Sequence, residues 1–120
     1  MAISTSKKDD ILFIQVQDPR LLDEARIQTL EKEMIGAIEA SSEERVVIDF
    51  SKVEFMSSSM LGKLVQVHKK CKGFKVKLKL AGVSPEIREV FKITRLDKLF
   101  DIEKDAAAAH KAFAKKGKFG

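Results

Sequence analysis

Strand-like and helix-like segments alternate from one end of this 120-residue chain to the other, and that alternation limits the fold more than any other feature. Short apolar or alternating runs predict strands at residues 11–17, 45–50, 75–80 and, after a turn, within 96–102. Helical spacing or alanine content predicts helices over about residues 23–40, 58–72 and 106–116, and another beginning after Ser84. This order indicates an α/β layer fold around a mostly parallel sheet with right-handed crossovers.

Polar residues mark the ends of the predicted helices. Asp23 is placed to cap the first helix, and Ser84 followed by Pro85 has the form of another helix start. Gly73 is placed to end the second helix. The predicted buried stripes are Ile27, Leu30, Met34 and Ile38 in the first helix, Leu61, Leu64, Val65 and His68 in the second, and Ile87, Val90, Phe91 and Thr94 in the third.

Lysine alternates with apolar residues in the strand predicted at residues 75–80. Successive side chains of a strand point to opposite faces, so its lysines share one face. We expect that face either to meet solvent or to belong to a strand at the edge of the sheet, where charge discourages pairing with another chain.

Size and composition favour a single globular domain over residues 1–120. The chain is 44% hydrophobic and 34% charged, which excludes disordered and collagen-like proteins. Its longest apolar runs have four residues, and its start lacks an apolar core followed by a cleavage site. We therefore expect no membrane span, no secretion signal and a cytoplasmic location.

The formal charge of +5 belongs mostly to the C-terminal end. Residues 103–120 hold five Lys and two acidic residues, a net +3, which leaves +2 for the rest of the chain. The eight Phe lie in or beside apolar segments, which favours core packing over platforms for stacked bases. We expect no direct nucleic-acid partner. The Lys-rich tail either docks a partner or only solvates the chain end.

Three consecutive serines, Ser57, Ser58 and Ser59, separate an apolar strand from the second predicted helix. The free N–H groups and partial positive charge of a helix N-terminus favour anions, so a phosphate would be well placed there. The other interpretation is that one serine caps the helix and the others fill a turn. The residue pattern by itself leaves both interpretations open.

An enzymatic function is disfavoured, although a small serine-dependent enzyme is one hypothesis. A serine nucleophile needs a base, and His68 lies ten residues down the helix from Ser58, roughly 15 Å at the helical rise. His110 is predicted to be solvated, and Cys71 to be a half-buried packing residue. Asp49 and Asp97 could approach the same end of the sheet, but no metal-ligand cluster or glycine-rich phosphate loop is present in the sequence.

Two segments carry a resemblance to a known family. Residues 46–51 read VVIDFS and residues 53–62 read VEFMSSSMLG. Together they resemble the signature of the STAS domain, and within it the bacterial anti-sigma factor antagonists. Residues 80–87 and 93–100 are similar to the family's later strand, helix and final turn. The resemblance covers about residues 10–103, leaving 104–120 as a Lys- and Ala-rich helix and tail. It implies a four- to five-stranded, mostly parallel mixed sheet with about four helices packed mainly on one face.

The resemblance implies a regulatory protein with no cofactor and no bound metal. An unphosphorylated antagonist of this family binds an anti-sigma factor that is also a serine kinase of the histidine-kinase-like ATPase class, and so frees the sigma factor. The kinase phosphorylates the antagonist, which weakens the complex, and a PP2C-type phosphatase resets it. The matching acceptor is Ser58, with Ser59 and Ser57 as alternatives, in a protein expected to be a monomer or weak dimer. The implied partner-binding residues are Asp23, Ser57, Ser58, Ser59, Met60 and Leu61.

Two positions depart from the family pattern. Ser57 stands where the family usually has Asp, which removes a charge beside the acceptor. Met60 stands where it usually has Gly, and the added apolar group would either block a partner or build a different apolar contact. These departures support an alternative function, a STAS scaffold that is not phosphorylated and binds a protein partner constitutively.

Overall fold

The structure is a computed structural model that describes residues 2–119, with side chains described for residues 2–114. The strands are β1 (Ile3–Lys8), β2 (Ile11–Val16), β3 (Arg20–Leu21), β4 (Arg45–Asp49), β5 (Phe55–Met56), β6 (Lys77–Ala81) and β7 (Asp101–Glu103). The helices are α1 (Glu24–Ala40), α2 (Ser58–Gly73), α3 (Pro85–Ile93) and α4 (Ala106–Phe119), with a 3₁₀ turn at Leu96–Lys98. Within the described residues, no helix has the length and apolar character needed to cross a membrane.

Five strands form the main sheet in the order β1-β2-β4-β6-β7. All neighbours are parallel except β1 and β2, which are antiparallel. Strand β1 was not predicted, because only Ile3 of its six residues is buried and the run lacks apolar alternation. Asp9 and Asp10 join β1 to β2 with φ of 53° and 63°, the left-handed conformation that a two-residue hairpin turn requires.

The helices cover both faces of the sheet unequally. One face carries Ile14 and Ile48 and packs against buried residues of α1, α2 and α3. The opposite face carries Ile11 and Val47 and is covered by α4 through Phe113. The predicted α/β architecture, packed mainly on one face, is confirmed. Helix α4 forms a second layer because consecutive apolar residues make both faces of β2 and β4 apolar.

The expectation for the lysine face of β6 was wrong. Strand β6 lies between β4 and β7, and Lys79 is only 2% exposed. Its ammonium donates to the carboxylates of Asp101 and Glu103 on β7 and lies 5.2 Å from the ring centre of Phe113. Helix α4 covers this position, and the two carboxylates compensate the buried charge. Lys77, near the uncovered end of the same strand, is exposed.

The predicted helix starts are confirmed. Asp23 caps α1 and Ser84 caps α3, where Pro85 occupies the first turn. At its other end α2 departs from the prediction, because Gly73 is its last helical residue and Lys75 takes the left-handed conformation with φ of 61°. The Lys75 and Val76 N–H groups then bond the carbonyls of the last turn, as in a Schellman motif.

The predicted stripes are correct in α1 and partly correct in the next two helices. All four predicted residues of α1 are buried. In α2, Leu61 and Leu64 are buried as predicted, whereas Val65 and His68 are half-buried. Val67 and Cys71 complete the buried face instead. In α3, Ile87 and Phe91 are buried, and Val90 and Thr94 are exposed because no described residue covers that side of the helix.

Candidate functional site

A small second sheet brings the starts of α1 and α2 together. Strands β3 and β5 pair in parallel, with Leu21 opposite Met56. The Pro19 carbonyl accepts from the Glu54 N–H at 2.8 Å, and the Leu21 carbonyl accepts from the Ser57 N–H at 2.9 Å. Pro19 cannot donate to a ladder, so β2 ends before it, and the chain turns toward the connection that follows β4. These strands were not predicted, because a strand of two residues carries no periodicity in the sequence.

The three serines have three different environments. The Ser57 hydroxyl caps α2 by accepting from the Met60 N–H at 3.3 Å. The Ser59 hydroxyl donates to Glu24 Oε2 at 3.0 Å, which ties the first turn of α2 to the first turn of α1. Ser58 is exposed, and its hydroxyl has no hydrogen-bond partner among the described side chains. Of the three hydroxyls, that of Ser58 is therefore the one presented to solvent without a structural role.

The start of α2 is suited to a negative group at Ser58. The N–H groups of Ser58 and Ser59 belong to the first turn and have no intrahelical partner. The positive end of the helix dipole lies at the same place, while Lys70 and Lys72 lie in the last turn. A phosphate on Ser59, in contrast, would replace a hydroxyl that now donates to the Glu24 carboxylate and would face that negative charge.

Asp23 lies at the surface beside this cluster. Its Oδ1 accepts from the N–H groups of Ala25 at 2.8 Å and Arg26 at 3.4 Å, which makes it the N-cap of α1. The residue is exposed, so its second carboxylate oxygen remains available to solvent. Asp23 thus caps α1 and also lies on the surface that was predicted to bind a partner.

Met60 and Leu61 do not lie on that surface. Met60 is 0% exposed and Leu61 is 5% exposed, and both belong to the core beneath α1 and α2. The expectation that their side chains touch a partner is corrected on this point, because the first turn of α2 rotates them inward. Met60 fills core volume and neither blocks the surface nor offers an apolar contact on it.

Two other apolar residues, Leu22 and Phe55, are exposed where Met60 and Leu61 were predicted to meet a partner. Leu22, directly after β3, is 54% exposed, and Phe55, within the neighbouring strand β5, is 50% exposed. The Arg20 guanidinium lies 5.3 Å from the centre of the Phe55 ring. The prediction that all Phe residues serve the core was wrong for Phe55 and for Phe74. The available signal was the position of Leu22 and Phe55 outside any periodic segment.

The connection from β4 to α2 is held by a close approach at Gly82. Gly82 has φ of +69°, and a Cβ there would lie 2.8 Å from Asp49 Oδ1 and 3.0 Å from the Ser51 nitrogen. Asp49 Oδ1 accepts from the Ser51 N–H at 2.9 Å, which fixes the turn at the end of β4. Only glycine fits this position, and the path of the chain toward Ser57 depends on it.

The other titratable residues lie apart from the serines. His68 packs its ring edge-on to Phe100 at 5.3 Å between centres, and burial, then the charge of Lys72, lowers its pKa. His110 is not simply solvated, because its Nε2 lies 2.6 Å from Asp9 Oδ2. Cys71 is 1% exposed, more deeply buried than predicted, and burial raises its pKa to about 11.

The described residues around the serines form no arrangement for acid–base or metal chemistry. Asp49 accepts hydrogen bonds from Gln15 and the Ser51 N–H, and no hydrogen bond among the described residues links it to Asp97. No described histidine hydrogen-bonds Ser57, Ser58 or Ser59. Among residues 2–114, no group of three or more His, Cys, Asp or Glu is placed to hold a metal ion.

Comparison with known proteins agrees with this architecture. The family model for the STAS domain matches residues 2–109. A Bordetella bronchiseptica protein named as a candidate anti-sigma factor antagonist, BtrV, is 28% identical over 113 residues, covering 94% of this chain and 95% of that protein. An anti-sigma factor antagonist from Mycobacterium paratuberculosis has a crystal structure that superposes with a TM-score of 0.79 at 28% identity, covering 92% of this chain and 91% of its own.

A third similarity is to a STAS domain protein from Planctomyces limnophilus, whose structure is described as that of an anti-sigma-factor antagonist. It superposes with a TM-score of 0.81 at 26% identity and covers 93% of this chain and 98% of its own. These relatives are named as regulators, which confirms the prediction that the chain is not an enzyme.

Proposed function

This chain belongs to the STAS domain family, and we propose that it is an anti-sigma factor antagonist that binds an anti-sigma serine kinase and is switched off when Ser58 is phosphorylated. In this role the unphosphorylated protein captures the kinase, of the histidine-kinase-like ATPase class, and releases its sigma factor. A PP2C-type phosphatase restores the active form. The protein acts by binding and needs no cofactor.

The observation that carries this proposal is the contrast among the three serines. Ser57 is occupied as the cap of α2, and Ser59 is occupied by Glu24. Ser58 alone of the three is exposed. A kinase must bring the acceptor hydroxyl into its own active site, so the exposed, unengaged hydroxyl is the accessible one.

The surface around Ser58 supports both halves of the switch. Leu22 and Phe55 offer apolar area at the starts of α1 and α2, and Asp23 adds a negative charge beside them. Apolar area with a charged rim is typical of a protein-binding surface. A phosphate on Ser58 would bring about −1.5 to −2 charges into that surface and would have to be desolvated when a partner bound. The positive end of α2 limits the cost of the phosphate to the free protein.

Phosphorylation of purified protein tests the acceptor. The purified chain would be incubated with Mg-ATP and each serine kinase of the histidine-kinase-like ATPase class encoded in the same genome, and the products mapped by mass spectrometry. We expect one phosphate, on Ser58, and none on Ser58→Ala. Ser59→Ala is the matched control and should still be phosphorylated. Phosphate confined to Ser57 or Ser59, or absent with every kinase, would contradict the proposal.

Binding to the same kinases tests the switch and separates it from the constitutive scaffold. Calorimetric titration should give a complex with wild type and Ser58→Ala that Ser58→Glu weakens by about tenfold or more, equivalent to 1.4 kcal/mol. Phe55→Ser should also weaken binding of the kinase, because it removes exposed apolar area from the proposed partner surface. If Ser58→Glu bound as tightly as wild type, the chain would be a constitutive interaction module instead.

A further inference from the structure

A groove lies on the face of the sheet opposite α1, α2 and α3. It runs between β1 and the first turns of α4 and has a volume of about 440 Å³. The residues that matter to its chemistry are Ser4, Phe13, Gln15, Asp49, Ala106 and His110. Nothing in the proposed switch uses this groove.

The strand register builds the floor of the groove in rows. Ser4 pairs with Gln15, and Gln15 pairs with Asp49, so a polar row crosses β1, β2 and β4. In the next row on the same face, Phe13 lies two residues along β2 from Gln15. The floor therefore presents a carboxylate and an amide beside an aromatic ring.

Asp49 is the unusual member of this floor. It is 9% exposed, and its oxygens accept one hydrogen bond each, from the Ser51 N–H at 2.9 Å and from Gln15 Nε2 at 3.3 Å. Among the described residues it forms no ion pair, whereas buried Lys79 pairs with two carboxylates. An ionised carboxylate accepts about four hydrogen bonds, so Asp49 keeps acceptor capacity toward the groove. Burying a carboxylate without a cation is costly, and a bound cation would offset that cost.

The surroundings favour a cation over an anion. The α4 N-terminus could attract a negative group, but Asp105 already occupies it by accepting from the Ala108 N–H at 2.8 Å. The His110 ring at the far side is held by Asp9. Of the described residues that line the groove, Lys8 is the only lysine or arginine, and it lies in the row of Ile11, four residues along β2 from the row of Asp49. The two rows are roughly 13 Å apart at the rise of a strand.

We propose that this groove binds a small organic cation with a flat or apolar body, such as an amidinium or guanidinium compound. The cationic head donates to Asp49, in the fork geometry that carboxylates accept from planar cations. The apolar body lies over Phe13 and against the methyl group of Ala106. Oδ1 of Asp49 holds the turn at Ser51 and Oδ2 accepts the longer bond from Gln15, and each oxygen keeps one further acceptor position for the ligand.

Nuclear magnetic resonance of the full-length, ¹⁵N-labelled chain tests this proposal with benzamidine as the probe. We expect benzamidine to shift amide resonances of β1, β2 and the start of α4, with a Kd on the order of 1 mM, as suits a ligand of so few atoms. Benzamide, which has nearly the same shape and no charge, should bind about tenfold more weakly or not at all. Equal shifts with both compounds, or none with benzamidine, would overturn the proposal.

Two variants locate the site. Asp49→Asn keeps an oxygen for the Ser51 N–H and removes the charge, so benzamidine binding should weaken by about tenfold. Ala106→Leu fills the groove while Asp49 is retained, and it should abolish the shifts. This variant tests the location of the site even if Asp49→Asn fails to fold. Asp97→Asn removes an exposed acid outside the groove and should bind like wild type. Undiminished binding by Ala106→Leu would contradict the assignment.

Discussion

At the residue scale, the three consecutive serines have different roles because consecutive positions at the start of a helix point in different directions. The residue before the first helical turn points its hydroxyl back at the turn, and so Ser57 caps α2. The next two residues project outward at about 100° from one another. One of them, Ser59, meets Glu24 of α1, and Ser58 meets solvent.

Stability measurements on single serine variants separate these roles. Ser57→Ala should lower the free energy of unfolding by about 1 kcal/mol, because it removes a cap. Ser58→Ala should change it by less than about 0.5 kcal/mol, as for other surface substitutions. Urea denaturation followed by circular dichroism measures both. A larger loss from Ser58→Ala than from Ser57→Ala would mean that the cap has been assigned to the wrong residue.

At the element scale, the end of α2 carries a residue in a conformation that it does not favour. Exposed Lys75 has φ of 61°, in the left-handed region that costs non-glycine residues about 1–3 kcal/mol. Lys75→Gly should relieve this strain and raise the free energy of unfolding by about 1 kcal/mol after the entropic cost of glycine. Lys75→Ala removes the side chain but keeps the strain, and should leave stability nearly unchanged in the same urea titration.

Also at the element scale, His68 makes the packing of α2 on the turn around Phe100 sensitive to pH. Burial and the nearby Lys72 lower the pKa of His68 below its ordinary value of 6.5. A histidine whose pKa is lower in the folded state binds its proton more readily when unfolded, so folding is favoured above pH 6.5 and loses that contribution as the pH falls. The difference in free energy of unfolding between wild type and His68→Gln should therefore shrink below pH 6.5. A constant difference across that range would contradict the assignment.

At the scale of the whole molecule, α4 provides the second layer of the sheet. Phe113 is 2% exposed and packs with Ile11, Val47 and Ala81, which would otherwise face solvent. Phe113→Ala should lower the free energy of unfolding by about 3 kcal/mol or more. Phe74→Ala, at a 46% exposed site, is the matched control and should cost less than about 1 kcal/mol. Similar losses in the two variants would mean that α4 does not cover the sheet in solution.

Features that depend on neighbours within a few residues could be predicted from the amino-acid order. The alternation of strands and helices, the caps Asp23 and Ser84 and the buried stripe of α1 all follow from side chains one or two turns apart. The serine cluster at a helix start belongs to the same class. These interactions are local, and so their pattern is visible along the chain.

Which surfaces are covered became clear from the packing of segments that lie far apart along the chain. Strand β1 exists because β2 offers an edge, Lys79 is buried because β7 and α4 close over it, and Met60 turns inward because α1 packs there. The Ser59 hydroxyl is engaged by Glu24, which lies 35 residues away in sequence. The Ser58 hydroxyl beside it is left without a partner among the described side chains. Burial and pairing depend on residues far apart in sequence, and the periodicity of one segment does not predict which other segment packs against it.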